Sequence, residues 1–227
     1  VNAEIKKPKQ THYMEISVII TCYNYARYVG RAIRSAYNQS LERSKYEIIV
    51  VNDASTDETE EVLKDYQDII RAINLETNVG LAEARNIGVR RAFGQFIVFL
   101  DADDYIHRDL LLMQYNYMSM NRTLDATAVD YVTVDDDEQH QKVYSVDEDP
   151  IACGIMYRRD LFFEVGLYDK SFKAREEEDF RIRFLEKYQI YRIPLPLYRY
   201  RKHETNLTSN RVVMDFYDAQ LKRKHNL

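Results

Sequence analysis

The amino-acid sequence predicts an α/β fold with a mostly parallel central sheet flanked by helices. Over the first hundred residues, short apolar and β-branched runs alternate with segments of helical period. Such alternation favours parallel strands joined by right-handed crossovers. The second half is less regular and is expected to form a smaller subregion. There the acidic stretch 135–149 is predicted to be a mobile loop or a hairpin, and Pro194 and Pro196 are predicted to break the chain before the last strand.

The individual elements follow from local signals. Buried strands are expected at residues 16–20 and 46–51, and further strands at residues 69–74, 96–100, 128–134 and 197–202. Helices are expected at residues 28–38, 55–66, 81–93, 109–121, 158–165, 177–187 and 211–224. Ser55 and Glu58 have the spacing of a capping box at the start of the second helix. Gly94 is placed to end the third helix as its C-terminal cap.

Length and composition exclude several classes of protein. The chain has 227 residues, 45% hydrophobic and 30% charged, which is enough apolar content for a packed core. A net charge of −5 argues against nucleic acid as a partner. Cys22 and Cys153 form neither a disulfide framework nor a metal-ligand pair, which weakly favours a reducing compartment. No apolar run approaches membrane-spanning length, and peripheral contact with a membrane surface stays compatible with the sequence.

Asp101 and Asp103 follow the fourth strand, two residues apart. In an extended chain, side chains at this spacing point to the same side. Two carboxylates on one side form a hard-oxygen site for Mn²⁺ or Mg²⁺, and such ions neutralise a diphosphate leaving group. The alternative is a turn in which an Asp caps the next helix. Polar residues also follow the first and second strands, at 21–24 and 52–53, and all three clusters are expected to face one crevice.

Four segments resemble the motifs of the family 2 glycosyltransferases, inverting enzymes of the GT-A fold that act in bacterial surface-polysaccharide synthesis. They are residues 17–24 (SVIITCYN), 51–57 (VNDASTD), 78–88 (NVGLAEARNIG) and 99–104 (FLDADD). The resemblance extends from about residue 15 to about residue 209. It departs from the family pattern where Thr21 and Cys22 replace Pro-Thr, and where Asn52 and Ala54 replace Asp and Gly.

The resemblance implies a nucleotide-sugar donor with uridine as the preferred base. Asp53 would accept the N3–H of the base, Tyr23 would stack near it, and Arg85 would approach the diphosphate as a fixed cation. The implied donor-binding residues are Cys22, Tyr23, Asn24, Asp53, Arg85 and Asp101. The implied ligands of Mn²⁺ or Mg²⁺ are Asp101, Asp103 and His203. His203 ends a segment (YRKH) that is similar to the family's Y-R-x-H, and a purely structural role is the alternative.

The general base is expected in the acidic run 176–179. In the family it is the second acid of an E-D or E-E pair, a few residues before an Arg. Alignment on Arg183 selects Glu177, which is favoured, and alignment on the literal Glu-Asp selects Asp179. The alternative is a solvated helix start whose acids favour the helix dipole.

We therefore expect one globular unit that comprises a flexible arm (1–12), a nucleotide-sugar-binding half (13–106), an acceptor-binding and catalytic half (107–210) and a C-terminal helix (211–227). The expected activity is metal-dependent, inverting transfer of a hexosyl-type sugar to a hydroxyl of a growing glycan or a lipid-linked saccharide. The expected location is the cytoplasm, up to the inner face of the membrane. The alternatives are a non-catalytic nucleotide-sugar-binding module and a sugar nucleotidyltransferase, which would need a Gly-rich phosphate loop after the first strand.

Overall fold

The computed structural model describes residues 14–203, 206 and 211–227, so the predicted arm at 1–12 lies outside the described residues. Within them the strands are β1 (Ile16–Cys22), β2 (Tyr46–Asn52), β3 (Arg71–Asn74), β4 (Phe96–Asp101), β5 (Tyr105–Ile106), β6 (Ala126–Val134), β7 (His140–Tyr144), β8 (Ile155–Arg158) and β9 (Ile190–Arg201). The helices are α1 (Ala26–Tyr37), α2 (Thr59–Lys64), α3 (Leu81–Arg91), α4 (Leu110–Met120), α5 (Arg159–Val165), α6 (Glu176–Leu185) and α7 (Arg211–His225).

The first four long strands form a parallel layer in the order β3-β2-β1-β4. Every residue of β1 and β2 is buried, because helices cover both faces of this layer. Burial on both faces explains why these strands are continuous apolar runs and not alternating ones. The predicted α/β class is confirmed.

Beyond β4 the sheet becomes mixed. β8 pairs antiparallel with both β4 and β6, whereas β6 runs parallel to β9. β9 runs through Pro194 and Pro196, so the predicted break in the chain is wrong. The prolines instead coincide with register shifts between β6 and β9 around Asp130, because proline cannot donate to a regular ladder. Of the two forms predicted for stretch 135–149, the structure has the hairpin, since β7 pairs back onto β6.

The start of α2 differs from the prediction. The helix begins at Thr59, and Glu58 makes no capping hydrogen bond through its side chain. Asp57 Oδ1 instead accepts hydrogen bonds from the backbone N–H and the hydroxyl of Thr59, at 3.0 and 2.5 Å. Ser55 Oγ accepts a hydrogen bond from the backbone of Asn24. The predicted capping box is therefore wrong, because Ser55 is used to join two loops.

Gly94 does not cap α3, which ends at Arg91. It lies instead where the chain crosses the start of β1. A Cβ at this position would lie 2.5 Å from both the carbonyl carbon of Ile16 and the amide nitrogen of Ser17. Backbone atoms cannot rotate away as a side chain can, so only glycine fits.

We expect Gly94→Ala to lower the free energy of unfolding by about 3 kcal/mol, at the upper end of the cost of overpacking. Chemical denaturation measures this loss. Gly30→Ala is the control, because the nearest atom to its new Cβ is the hydroxyl of Tyr66, 3.0 Å away at the end of a flexible side chain. Equal losses in the two variants would contradict the close-approach explanation.

Candidate active site

The carboxyl ends of β1, β2 and β4 meet at one edge of the sheet. Thr21 pairs with Val51 on one side and with Asp101 on the other. The backbone N–H of Asp53 donates to the carbonyl oxygen of Cys22 at 2.8 Å. The three polar strand ends predicted from the sequence therefore converge, as the ligand-binding edge of such a sheet requires.

Two loops at this edge are joined through Asn24. Its backbone N–H donates to Ser55 Oγ at 2.9 Å, and its Oδ1 accepts the N–H of Thr56 at 2.7 Å. Asn24 and Ala54 both have φ of 58°, so each loop turns sharply at its centre. Tyr23, next to this junction, is 45% exposed. The side chain of Tyr23 is thus available to a ligand, whereas Asn24 Oδ1 is already hydrogen-bonded to the backbone of Thr56.

The carboxylate of Asp53 lies beneath the start of α3. Oδ1 accepts the N–H of Val79 at 2.7 Å, and Oδ2 accepts the N–H of Gly80 at 2.9 Å. Gly80 has φ of 86°, which brings its N–H toward this carboxylate. Asp53 therefore fixes the backbone at the start of α3. A nucleobase that contacts Asp53 would bind the same two oxygens that accept these backbone N–H groups.

Arg85 is fully buried between two acids. Nη1 donates to Glu176 Oε1 at 2.5 Å, and Nη2 donates to Asp101 Oδ1 at 2.9 Å. Burial alone lowers the pKa of Arg85, but the charges of Asp101 and Glu176 raise it above its usual value. The family resemblance implied that Arg85 is a fixed cation that approaches a diphosphate. The structure instead has a bridge that ties α3 to the end of β4 and the start of α6.

Asp103 lies beside His203, as the sequence predicted. The distance from His203 Nε2 to Asp103 Oδ2 is 2.9 Å, and Asn206 Nδ2 donates to the same oxygen at 3.2 Å. The ring of His203 stacks on Tyr28 with 4.9 Å between centroids. Asp101 keeps part of its surface open, with 29% of its side chain exposed.

The sequence analysis gave no role to the third acid of the motif, Asp104. It is buried, and it accepts the hydroxyl of Tyr198 at 2.6 Å and the backbone N–H of Arg201 at 2.7 Å. Burial raises the pKa of Asp104 well above its usual range, and the charges of Asp103 and Asp101 raise it further. Asp104 thereby fastens the acidic loop to β9, a long-range contact that no local pattern predicts.

Arg201 fixes the other side of the acidic loop. Its Nε donates to the carbonyl oxygen of Asp103 at 2.8 Å. Its terminal nitrogens donate to the carbonyl oxygens of Asp135 and Asp136 and to the carboxylate of Glu138. The hairpin turn between β6 and β7 is consequently held against the candidate site.

The acids at the start of α6 have different environments. Burial, with the neighbouring charge of Glu177, raises the pKa of Glu176 to about 7. Glu177 is partly exposed, and burial raises its pKa as well. Within the described part of the chain, its side chain has no hydrogen bond or ion pair to another residue. Glu177 is therefore the acid of this helix start that is left available to a substrate.

Asp179, the second candidate base, is fully buried. It accepts hydrogen bonds or ion pairs from Arg183, Lys224 and His225 at 2.8, 2.6 and 2.8 Å. Burial raises the pKa of Asp179, but hydrogen bonds from Lys224, His225 and Arg183 hold it below its usual value. The geometry thus makes Asp179 the anchor of the C-terminal helix, with both carboxylate oxygens engaged by basic side chains.

The set of side chains that could ligate a divalent cation is incomplete in this arrangement. Among residues 14–203, 206 and 211–227, no three His, Cys, Asp or Glu side chains are grouped to hold a metal ion. Asp101 and Asp103 supply carboxylate oxygens of the kind that Mn²⁺ and Mg²⁺ prefer. Asp101 uses one oxygen for Arg85, and Asp103 uses one for His203. The chemistry of these residues fits a hard cation that binds through their remaining oxygens.

This chain belongs to glycosyl transferase family 2, whose family model matches residues 17–181. An uncharacterized glycosyltransferase of Haemophilus influenzae is 40% identical over 109 residues, which is 47% of this chain and 43% of that protein. TarS of Staphylococcus aureus, a poly(ribitol-phosphate) beta-N-acetylglucosaminyltransferase, is 35% identical over 101 residues, 43% of this chain and 18% of TarS. The matched regions thus span less than half the length of these relatives.

Solved structures share the fold. The S. aureus TarS fragment 1–349 in complex with UDP-GlcNAc superposes with a TM-score of 0.76 and 23% identity, over 87% of this chain and 61% of that one. The mannosyltransferase PcManGT from Pyrobaculum calidifontis, in complex with GDP-Man and Mn²⁺, gives a TM-score of 0.74 and 20% identity, over 97% and 68%. The predicted GT-A fold is confirmed. None of the helices that the structure describes is both long and apolar enough to cross a membrane.

We expect Arg85→Met to lower the free energy of unfolding by about 3–5 kcal/mol, the usual cost of removing one partner from a buried ion pair. The reason is that Glu176 would stay buried without its cation. Urea denaturation followed by circular dichroism measures the change. Arg90→Met, on the same helix, removes a half-exposed partner of Glu83 and is expected to cost less than about 1 kcal/mol. A similar small loss for both variants would show that the bridge does not stabilise the fold.

Proposed function

We propose that this chain transfers a sugar from a UDP-linked donor to a hydroxyl group of a growing glycan or a lipid-linked saccharide, with inversion. The observation that carries the proposal is the bridge made by Arg85. Its guanidinium joins Asp101, at the ligand-binding edge, to Glu176, the residue before the candidate base Glu177. A donor-side acid and an acceptor-side acid therefore stand on either side of one cation. The complex of TarS with UDP-GlcNAc supports a UDP-sugar as the donor.

The donor would bind across the carboxyl ends of β1 and β2. The exposed ring of Tyr23 offers a stacking surface for the base, and the Cys22 backbone and Asn24 line the same loop. Asp53 would accept the N3–H of the base, while the N–H groups of Val79 and Gly80 hold its carboxylate in position. Arg85 would act by holding Asp101 in place.

A divalent cation, Mn²⁺ or Mg²⁺, would be held by Asp101 and Asp103, with His203 as the third ligand. Such a cation, when bound, supplies positive charge to the diphosphate leaving group. The PcManGT complex with Mn²⁺ supports a cation at this kind of site. In this chain, Asp104 and Arg201 would keep the acidic loop rigid, so that Asp101 and Asp103 stay on one side.

Glu177 would act as the general base. Its carboxylate would take the proton of the acceptor hydroxyl while that oxygen attacks the anomeric carbon and the bond to the diphosphate breaks. Attack opposite the leaving group inverts the configuration. Burial raises the pKa of Glu177, which strengthens it as a proton acceptor near neutral pH.

Two other functions are less well supported. A sugar nucleotidyltransferase would need backbone N–H groups of a Gly-rich loop around a triphosphate, and the loop after β1, residues 23–25, contains no glycine. A non-catalytic nucleotide-sugar-binding module would not need an acid in the environment of Glu177. A cytoplasmic location, up to the inner face of the membrane, fits the supply of a nucleotide-sugar donor.

We expect Glu177→Gln to slow UDP release from UDP-GlcNAc in the presence of acceptor by roughly two to four orders of magnitude, the usual contribution of a positioned base. The dissociation constant for UDP, measured by calorimetry, should stay unchanged because this carboxylate faces the acceptor. Glu178→Gln is the matched control, since Glu178 pairs with Arg175 at 2.8 Å and should not touch substrate. Loss of activity in Asp179→Asn with a folded protein and an active Glu177→Gln would overturn the assignment.

UDP is expected to bind more tightly with Mn²⁺ than with EDTA, and Asp103→Asn is expected to remove most of that difference. The reason is that Asp103 would supply a metal ligand while its backbone contact with Arg201 survives the substitution. Calorimetric titration measures the affinities, and circular dichroism checks the fold. Asp65→Asn, at an exposed acid, is the control. An affinity of the native protein for UDP that is the same with Mn²⁺ and with EDTA would refute the metal site.

A further inference from the structure

A cavity of about 220 Å³ lies beside α6, outside the residues assigned to the donor. Apolar side chains, among them Ile151, Ile155 and Leu185, line part of its wall. The charged residues of its lining are Arg181, Arg192 and Asp147. The cavity is therefore an amphipathic pocket of a size suited to part of a small polar molecule.

The position of this pocket on α6 relates it to Glu177. Residues four apart on a helix lie on the same face, one turn above each other. Glu177, Arg181 and Leu185 are spaced in this way, and the last two line the cavity. Four residues of helix correspond to about 6 Å, roughly the width of one sugar ring. A sugar whose hydroxyl contacts Glu177 would extend along the helix to Arg181.

Arg181 is the unusual group in this pocket. Its side chain is only 18% exposed, and its nearest carboxylate oxygen, on Glu178, is 4.0 Å away. Within the described residues it makes no hydrogen bond. Arg192, by contrast, donates two hydrogen bonds to Asp130, at 2.8 and 2.6 Å. The N–H donors of Arg181 are therefore not engaged by an acceptor within the described residues, and they are available to a partner that the chain itself does not supply.

We propose that this pocket is the acceptor subsite and that it takes a sugar or polyol unit carrying a phosphate or a carboxylate, which binds Arg181. Both anions match the fork of N–H donors on a guanidinium. The charge of Arg192 is offset by Asp130 and by Asp147, 3.7 Å away. Arg181 is therefore the cation of the pocket that selects the anionic group. This inference rests on the proposed function, because it takes Glu177 as the base.

The experiment uses the full chain with three soluble probes: glucose, glucuronate and glucose 6-phosphate. Ligand-observed NMR titrations are run with excess UDP and Mn²⁺, so that anions are excluded from the donor site. At least one charged probe should bind the native protein tenfold or more tightly than glucose. Arg181→Gln should remove that preference and leave glucose binding unchanged. Arg90→Gln, at a half-exposed arginine on α3, is the matched control and should keep the preference.

The outcomes separate the possibilities. Tighter binding of glucose 6-phosphate alone identifies a phosphate-bearing acceptor, and tighter binding of glucuronate alone identifies a carboxylate-bearing one. Equal affinities for all three probes, or a preference that survives in Arg181→Gln, would overturn the proposal. A native protein that does not bind UDP would instead refute the donor assignment, and a preference that depends on Arg181 would then stand without it.

Discussion

The buried bridge formed by Arg85 organises the candidate site. Its guanidinium contacts a carboxylate at the end of β4 and another at the start of α6, two elements that are 75 residues or more apart in the chain. Glu176 is buried and depends on this cation for compensation, whereas Asp101 keeps part of its surface open. The distance between the donor-side acid and the helix that carries Glu177 is therefore set by one planar side chain. A lysine has only a single ammonium and cannot hold two acids at fixed separation in this way.

A second constraint comes from β9. Tyr198 and Arg201 both fix part of the acidic loop, Tyr198 through Asp104 and Arg201 through the backbone of Asp103. Arg201 also holds the turn of the β6–β7 hairpin. The loop after β4 is thus connected to the second half of the chain through both residues of β9. Rigid support of this kind keeps functional side chains in one geometry before a substrate arrives.

Much of the parallel half could be predicted from the sequence. Continuous apolar runs mark β1, β2 and β4 because burial on both faces leaves a strong local signal. The proximity of Asp103 and His203 was also predicted, although from the resemblance and not from local pattern. Partners that depend on long-range packing could not be predicted. Arg85 illustrates this, since an arginine on a helix is usually exposed and only the fold supplies two acids to bury it.

The same limit applies to the acidic run of α6. Its four neighbouring carboxyl groups look equivalent in the sequence, but the fold gives each a different partner. Asp179 is buried by α7, which begins more than thirty residues later. Glu178 pairs with Arg175, and Glu176 pairs with Arg85. Glu177 differs from the other three acids because each of them is paired with a basic side chain. These pairings depend on tertiary structure and cannot be read from the sequence.

The contact between Asp179 and the end of α7 ties the last helix to α6, the helix that carries the candidate base. Lys224 and His225 reach a carboxylate that stands two positions beyond Glu177. If α7 were pulled away, a fully buried negative charge would keep only Arg183, and the first turn of α6 would lose much of its stability. Displacement of α7 would then reach the first turn of α6, which carries the candidate base Glu177.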